Sequence, residues 1–279
     1  MDNQGLKIID HWISGEEKEV SRMACDKNTK PFGNGMPDSI IIHYTAGKSG
    51  KSSAEYLCRK NVQASAHIVL DRSGHIYQLV PFDTIAWHAG KSSYKGRSGF
   101  NNFSIGIEID NAGVLEKVGD KYKAWFGSLY SESEVVQATH RNEASPRYWH
   151  TYTEEQISKI FELCEALMDR YPTITSILGH EEISKGRKQD PGPAFPLDRL
   201  RQRFFDSRED TSANNDKSEG YVEVSSLNIR EMPSIHAGLA ASPLPEGTKV
   251  RILQEHSGWY KVEAVTEGWV SAQYVALKS

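Results

Sequence analysis

Five side chains of this sequence could together carry out metal-assisted hydrolysis: His43, Glu108, His180, Lys188 and Asp190. Two imidazoles and one carboxylate are the ligand set of a zinc ion that keeps a fourth position open for water. Zinc held in this way lowers the pKa of its water to about 7 and polarises a carbonyl group. A nearby glutamate could act as the general base, and a lysine could stabilise the oxyanion.

The spacing of these residues alone leaves a simpler alternative open. His180 and Asp190 are separated by nine residues, and Pro191 and Pro193 hold the backbone around Asp190 extended and stiff. A stiff loop suits a metal ligand, but an ordinary surface turn has the same pattern. His43 ends an apolar run and precedes a small-residue loop, where catalytic groups often lie. A buried structural histidine would fit that position as well.

Apolar patterns predict the strands that would position these side chains. Residues 39–44 form a β-branched run, which is typical of a strand buried on both faces. Residues 66–80 have the pattern of a hairpin. In residues 103–110 isoleucines alternate with polar or small residues, so Glu108 is predicted to face away from the apolar side.

Helices are predicted between these strands. One is expected near Ser52–Lys60, and Thr153-Glu154-Glu155-Gln156 is a capping box that opens a longer helix, which Pro172 stops. Cys164 lies on the apolar stripe of the longer helix and is predicted to be a core residue. Strands that alternate with helices predict an α/β fold with a mixed central sheet flanked by helices.

A polar segment divides the chain. Residues 207–219 contain one apolar residue, Ala213, and are predicted to be a linker because they cannot bury a face. Residues 1–206 would then form the α/β domain. Residues 220–279 contain short strand patterns separated by polar, glycine or proline turns, which predicts a small all-β barrel.

Composition excludes several classes of protein. The 279 residues are 38% hydrophobic and 25% charged, which indicates a folded globular chain. A net charge of -4 gives no basic surplus for nucleic acid or an anionic membrane. Three widely spaced cysteines, Cys25, Cys58 and Cys164, exclude a disulfide scaffold and a cysteine-based zinc site.

No stretch reaches the ~18 apolar residues that a membrane span needs. Residues 1–5 lack the basic and apolar regions of a secretory signal. We therefore expect a protein that stays in the cytoplasm or reaches the cell wall by another route, unless a signal has been removed from the chain.

Five motifs follow one another between residues 38 and 200. They are His43-Tyr44-Thr45-Ala46, Pro81-Phe82-Asp83 with Ala86-Trp87-His88-Ala89-Gly90, Ser92-Ser93-Tyr94, Asn102-Phe103-Ser104-Ile105-Gly106-Ile107-Glu108, and Gly179-His180 with Asp190-Pro191-Gly192-Pro193. Together they resemble the zinc-dependent N-acetylmuramoyl-L-alanine amidases, a family that includes AmpD-like enzymes, the T7-type phage amidase and the peptidoglycan recognition proteins. Trp-His-Ala-Gly with Asp-Pro-Gly-Pro is a specific pairing.

The resemblance implies hydrolysis of the amide bond between N-acetylmuramic acid and L-alanine in peptidoglycan or muropeptides. It assigns the chemistry as follows: His43, His180 and Asp190 as zinc ligands, Glu108 as the general base and Lys188 as the oxyanion stabiliser. Some members carry a catalytic tyrosine where this chain has Ala66. That departure favours the mechanism based on the glutamate.

The resemblance also suggests substrate-binding residues. Trp87 and His88 match residues that wall the substrate groove in the family. The stem peptide of such a substrate carries free carboxylates, for which Arg72, Lys95 and Arg97 are candidate partners. Solvated surface charge is the alternative role for each of these basic residues.

Residues 111–152 have no counterpart in the shortest family members, and we expect them to form a lid or an extra wall of the groove. Their histidines, His140 and His150, are not expected to bind metal. His67 and His75 are expected to be structural or exposed.

The C-terminal part resembles a bacterial SH3 domain. Residues 227–234 resemble its opening Leu-Asn-x-Arg-x-x-Pro-Ser signature, and residues 258–262 and 268–271 resemble its two tryptophan strands. Such domains often accompany wall hydrolases, so the cell wall is the expected partner. The alternative is that Trp259 and Trp269 only pack the small barrel.

Two other functions remain open at this point. Some relatives bind peptidoglycan without cutting it, typically after losing a zinc ligand, and the full set of ligands here argues against that function. A recycling enzyme for soluble anhydro-muropeptides and an enzyme acting on polymeric wall would share the same site.

Overall fold

The computed structural model of the protein describes residues 6–16, 18–33, 36–205, 219–231, 237–256 and 259–264. The chain divides into two compact units, Met1–Glu209 and Asp210–Ser279. The predicted linker lies almost wholly outside the described residues.

The first unit contains strands and helices in alternation, as the sequence predicts. Its strands are β1 Lys7–Ile9, β2 Trp12–Ser14, β3 Val20–Arg22, β4 Ser39–Tyr44, β5 Ile68–Leu70, β6 Ile76–Gln78, β7 Ser93–Tyr94, β8 Arg97–Ser98, β9 Ser104–Ile109, β10 Val114–Val118, β11 Lys121–Lys123, β12 Leu129–Tyr130, β13 Val135–Thr139, β14 Pro146–His150 and β15 Ser176–Gly179. Its helices are α1 Gly50–Leu57, α2 Glu154–Arg170, α3 His180–Ile183 and α4 Leu197–Phe205, with 3-10 turns at Phe100–Asn102 and Glu132–Glu134.

A six-stranded mixed sheet in the order β15-β4-β9-β5-β6-β3 forms the centre of this unit. All neighbouring pairs are parallel except the hairpin β5-β6. The isoleucines at 105, 107 and 109 are fully buried on one face, where α2 packs through Ile160 and Cys164. The predicted mixed sheet, the hairpin and the core position of Cys164 are confirmed.

Helix boundaries follow local capping. Thr153 and Gln156 form the predicted capping box, since the Thr153 hydroxyl accepts the Gln156 N–H and the Gln156 side chain accepts the Thr153 N–H. Helix α2 ends at Arg170, before Pro172, and α1 ends at Leu57, earlier than the sequence indicates.

Residues 111–152 form a second sheet, antiparallel throughout, in the order β12-β11-β10-β14-β13. It has a small apolar core of its own that includes Leu115, Tyr122 and Ala124. We call residues 111–152 the inserted sheet. It lies on the chain between Glu108 and His180, and therefore between two of the candidate catalytic residues.

The cysteine prediction needs a correction, because Cys25 and Cys58 form a disulfide with an S–S distance of 2.02 Å. Sequence spacing excluded a disulfide scaffold and gave no pairing. Cys58 is the C-cap of α1, and the packing of that helix against the sheet brings it within 4.8 Å (Cα–Cα) of Cys25. Cys164 is a free, buried cysteine.

The described part of the second unit consists of strands, which agrees with the predicted small β domain. They are β16 Glu219–Tyr221, β17 Ser226–Leu227, β18 Leu244–Pro245, β19 Lys249–His256 and β20 Trp259–Ala264. The order β16-β19-β20 forms a three-stranded antiparallel sheet. The strand predicted around Trp269 lies outside the described residues. Within the described ranges, no helix combines the length and apolar character needed to cross a membrane.

Candidate functional site

Three buried ligand atoms meet at one edge of the central sheet. His43 lies near the end of β4, and His180 begins α3 directly after β15, the parallel neighbour of β4. His43 Nδ1 lies 2.9 Å from His180 Nδ1 and 2.9 Å from Asp190 Oδ2, and His180 Nδ1 lies 2.8 Å from the same oxygen. The structure therefore brings together the three residues predicted to bind metal.

The remaining hydrogen bonds determine which ring nitrogens carry protons. His180 Nε2 lies 3.2 Å from the Ala89 carbonyl oxygen, so it donates there. His88 Nε2 donates to the Ser104 carbonyl at 3.2 Å, which leaves His88 Nδ1 to accept from His43 Nε2 at 3.0 Å. Nδ1 of His43 and Nδ1 of His180 then carry no proton, and each has a lone pair available to bind a metal.

Two nitrogen lone pairs and a carboxylate oxygen that face one another within 3 Å repel unless a cation lies among them. Histidine ligands of metals commonly donate their other N–H to a carbonyl or a similar acceptor, as His180 does with the Ala89 carbonyl. The donor set and its hydrogen bonding therefore fit zinc, and these three residues are a group that could hold a metal ion.

Burial of His43 and the contacts of Asp190 favour the protonation states that a metal requires of these two ligands. Desolvation, reinforced by the neighbouring His180, lowers the pKa of His43 to about 4. Burial would by itself raise the pKa of Asp190, but the contacts with His180 and His43 outweigh it and hold this pKa well below its usual range. A neutral His43 imidazole and an ionised Asp190 carboxylate are thus favoured at neutral pH.

Glu108 lies beside His43, because the two residues are paired across the parallel strands β4 and β9. Its Oε2 is buried, and no hydrogen-bond partner for it occurs among the described residues. Burial and the nearby charge of Asp190 raise the pKa of Glu108 well above its usual value, and the positive charge of Lys188 opposes that rise. A carboxyl group with a raised pKa suits proton transfer near neutral pH.

These groups open into a cavity of about 500 Å³. Its lining includes Glu108, His180, Lys188 and Asp190 together with Tyr44, Thr45, Ala46, Tyr56, Leu57, Ala64, Ser65, Trp87, His88, Gly186, Arg187 and Gln189. Trp87 and Tyr56 are 39% and 51% exposed. The cavity thus has a polar base and partly exposed aromatic rings at its wall.

The candidate substrate residues fall into two groups. Trp87 and His88 line the cavity, although His88 is buried and bonded to His43. Arg72 and Arg97 are not among the lining residues. Arg72 donates to the Thr151 carbonyl at 2.9 Å, and Arg97 pairs with Asp38 at 2.7 Å, so both are held by partners elsewhere.

The close packing of His88 explains the glycine two residues before Glu108. A Cβ atom at Gly106 would lie 2.2 Å from His88 Cγ, and no side chain can be accommodated at that distance. The Ile-Gly-Ile-Glu motif therefore serves two purposes, since it places Glu108 and leaves room for the histidine that supports His43.

The sequence did not reveal several residues near the cavity. Arg187 lines it and donates to the carbonyls of Ala89 and Lys91 at 3.0 and 2.8 Å. Trp125 of the inserted sheet is 78% exposed, and its Nε1 donates to the carbonyl of the lining residue Ala46 at 2.9 Å. Only the unusual exposure of an indole could have marked Trp125, and exposure is not readable from the sequence.

Comparison with known proteins gives two family matches. The profile of the family described as N-acetylmuramoyl-L-alanine amidase matches residues 33–193, which include all three ligand residues, Glu108 and Lys188. The profile described as bacterial SH3 domain matches residues 225–276.

Curated proteins resemble the same part of the chain. The chain is 36% identical over 142 residues to 1,6-anhydro-N-acetylmuramyl-L-alanine amidase AmpD of Escherichia coli (strain K12), a match that covers 50% of this chain and 58% of that protein. It is 31% identical over 171 residues to the protein of the same name from Haemophilus influenzae, with 60% and 72% covered. The chain spans a little over half the length of the first of these relatives.

Solved structures include a selenomethionine derivative of AmpD. It is 26% identical to this chain, with 70% of this chain and 97% of that chain covered and a TM-score of 0.47.

Proposed function

The chain belongs to the N-acetylmuramoyl-L-alanine amidase family, and from that premise we propose that it hydrolyses the amide bond between N-acetylmuramic acid and L-alanine in peptidoglycan or its muropeptide fragments. The observation that carries the proposal is the convergence of two unprotonated imidazole nitrogens and a carboxylate oxygen within 3 Å, beside a glutamate whose Oε2 is buried. Amide hydrolysis needs an electrophile that polarises the carbonyl group and a base that takes a proton from water. This site holds residues for both.

His43, His180 and Asp190 would hold the zinc ion. When bound, zinc supplies a Lewis acid that polarises the scissile carbonyl and lowers the pKa of water. Glu108 takes a proton from the attacking water and delivers it to the leaving nitrogen of L-alanine. Its lack of a hydrogen-bond partner among the described residues leaves its Oε2 available for that water.

Lys188 would stabilise the negative charge that develops on the carbonyl oxygen. It lines the cavity on the loop that leads to Asp190, and its charge acts on both His43 and Glu108. The exposed faces of Trp87 and Tyr56 would bind the less polar parts of the substrate. Arg187 gives the rim a positive charge that suits a stem peptide with free carboxylates.

For the C-terminal unit we propose a cell-wall ligand. The match of residues 225–276 to a bacterial SH3 domain supports this. Attachment to the wall would raise the local concentration of the substrate for the tethered catalytic unit.

The test is a parallel digestion of purified sacculi and soluble 1,6-anhydro-muropeptides, with mass spectrometry of the products and an EDTA control. The proposal predicts stem peptides that begin with a free L-alanine amine, and no product when EDTA is present. Binding to sacculi without any cleavage would instead support a recognition protein. A preference between the two substrates would show whether the enzyme acts on the polymer or on its fragments.

A further inference from the structure

The inserted sheet contacts the loop that carries the third ligand. That loop, Asp190-Pro191-Gly192, follows α3 at a distance of a few residues along the chain. Residues 111–152 are predicted to form a lid or an extra wall of the groove, and in the structure they also make polar contacts with the loop and with Glu181 beside His180.

His140 is the centre of the first set of contacts. Its side chain is 1% exposed, and its Nδ1 accepts the Asn142 N–H at 3.1 Å. The ring proton is therefore on Nε2, which donates to Glu181 Oε2 at 2.6 Å. Arg141 Nε donates to the other oxygen of the same carboxylate at 3.0 Å.

Glu181 links His140 and Arg141 to the loop through two hydrogen bonds of its own. Its Oε2 accepts the Gly192 N–H at 3.2 Å, and its own backbone N–H donates to the Asp190 carbonyl at 2.8 Å. One residue thus holds the loop on both sides of Pro191. The 3% exposure of this carboxylate strengthens each bond, because water does not compete.

Two aromatic residues of the same segment complete the contacts. Tyr152 is the last residue of the inserted sheet, two positions after β14, and its hydroxyl donates to the Pro191 carbonyl at 2.7 Å. Trp149 is 1% exposed and packs so closely on the loop that a Cβ atom at Gly192 would lie 2.9 Å from its ring. His140 stacks on Trp149, with ring centroids 5.6 Å apart.

We propose that the inserted sheet is a positioning device for the metal centre: through His140, Trp149 and Tyr152 it holds the Asp190-Pro191-Gly192 loop in the position at which Asp190 can bind the metal. The inference rests on the proposed function only in taking the metal to be zinc. His140 and Tyr152 touch neither the metal ligand atoms nor the cavity, so they are positioning residues. Partners that orient a metal ligand commonly change affinity by about 10- to 100-fold when they are removed.

The experiment measures zinc affinity of the full chain by competition with a chromophoric chelator, and thermal stability of the metal-free protein. His140→Leu removes the donor to Glu181, whereas His140→Gln keeps an N–H that can reach it. Tyr152→Phe removes one hydroxyl and leaves the ring in place. Tyr122→Leu is the matched control, since it weakens the core of the inserted sheet without a contact to the loop.

We expect a zinc dissociation constant that is about tenfold or more weaker in His140→Leu and Tyr152→Phe, with partial recovery in His140→Gln. Tyr122→Leu should lower the melting temperature of the metal-free protein and leave zinc affinity unchanged. If His140→Leu does not fold, Tyr152→Phe against Tyr122→Leu decides the question. Wild-type affinity in the His140 and Tyr152 variants would overturn the inference, as would an equal loss in Tyr122→Leu. A wild-type chain that binds no zinc would instead contradict the proposed function.

Discussion

His67 should make the metal-free protein less stable in acid, because the fold holds its imidazole neutral. The residue is fully buried, its Nδ1 accepts the Gly106 N–H at 3.0 Å, and its Nε2 donates to the Thr84 carbonyl at 2.8 Å. A second ring proton would have to point at the Gly106 N–H. Desolvation by burial lowers the pKa of His67 to about 4.

The size of the effect follows from the two protonation equilibria. An unfolded histidine has a pKa of about 6.5, and each unit of difference between the folded and unfolded states is worth about 1.4 kcal/mol. The unfolded state binds more protons between these values, so the stability is fully present above about pH 6.5 and is lost as the pH falls toward 4. His67 alone should remove about 3 kcal/mol of unfolding free energy between pH 7 and pH 4.

The assay is urea unfolding of the wild-type chain and of His67→Gln in EDTA, at several pH values across that range. Other buried histidines act in the same direction, since burial also lowers the pKa of His150 to about 3. The informative quantity is therefore the difference in stability between the two proteins at each pH. Relative to His67→Gln, the wild-type chain should lose about 3 kcal/mol of unfolding free energy as the pH falls from 7 to 4. A constant difference would refute the argument, because it would mean that His67 is protonated equally in both states.

Three further predictions concern the site. Glu108→Gln should lower turnover by about 10²- to 10⁴-fold while zinc stays bound, as metal analysis of the purified variant would show; near-normal turnover would exclude Glu108 as the base. His88→Phe removes the acceptor for His43 Nε2 and should weaken zinc binding by about 10- to 100-fold in chelator competition, so an unchanged affinity would contradict the assigned tautomer. Trp125→Ala removes an exposed ring held beside Ala46 and should raise KM for muropeptides with little change in kcat. Equal KM values for the variant and the wild-type chain would show that Trp125 does not contact the substrate.

Local patterns allowed the central sheet to be predicted. Alternation with a period of two places Ile105 and Ile107 on one face of a strand and Glu108 on the other, whatever surrounds the strand. The structure confirms that placement. The capping box at Thr153 likewise depends only on residues three positions apart. Features of this kind are recorded in short stretches of sequence.

Contacts between distant segments were not predictable in the same way. Cys25 and Cys58 are 33 residues apart and meet because α1 packs on the sheet. His140 and Glu181 are 41 residues apart, and neither has a neighbour in sequence that marks it as half of a buried pair. Arg72 has the charge of a substrate-binding residue, but a backbone carbonyl holds it away from the cavity.

The inserted sheet was missed for a different reason. Its strands are two to five residues long, β10 carries the exposed pair Glu116 and Lys117, and in β11 exposed lysines flank the buried Tyr122. These strands form because they pair with neighbouring strands. Each is too short for its apolar residues to show the period of two that identifies a strand in the sequence. The Asp190-Pro191-Gly192 loop could be recognised in the sequence from its prolines, whereas the strands of the inserted sheet that contact it could not.

Zinc titration into the metal-free chain tests the central claim most directly. Cleavage of a purified muropeptide would be followed by mass spectrometry as zinc is added. The account predicts that activity returns in proportion to zinc up to one ion per chain, and that the products are a muramic acid with a free lactyl carboxylate and a peptide with a free L-alanine amine. Cleavage that persists without metal, or full zinc binding with no cleavage of this bond, would contradict it.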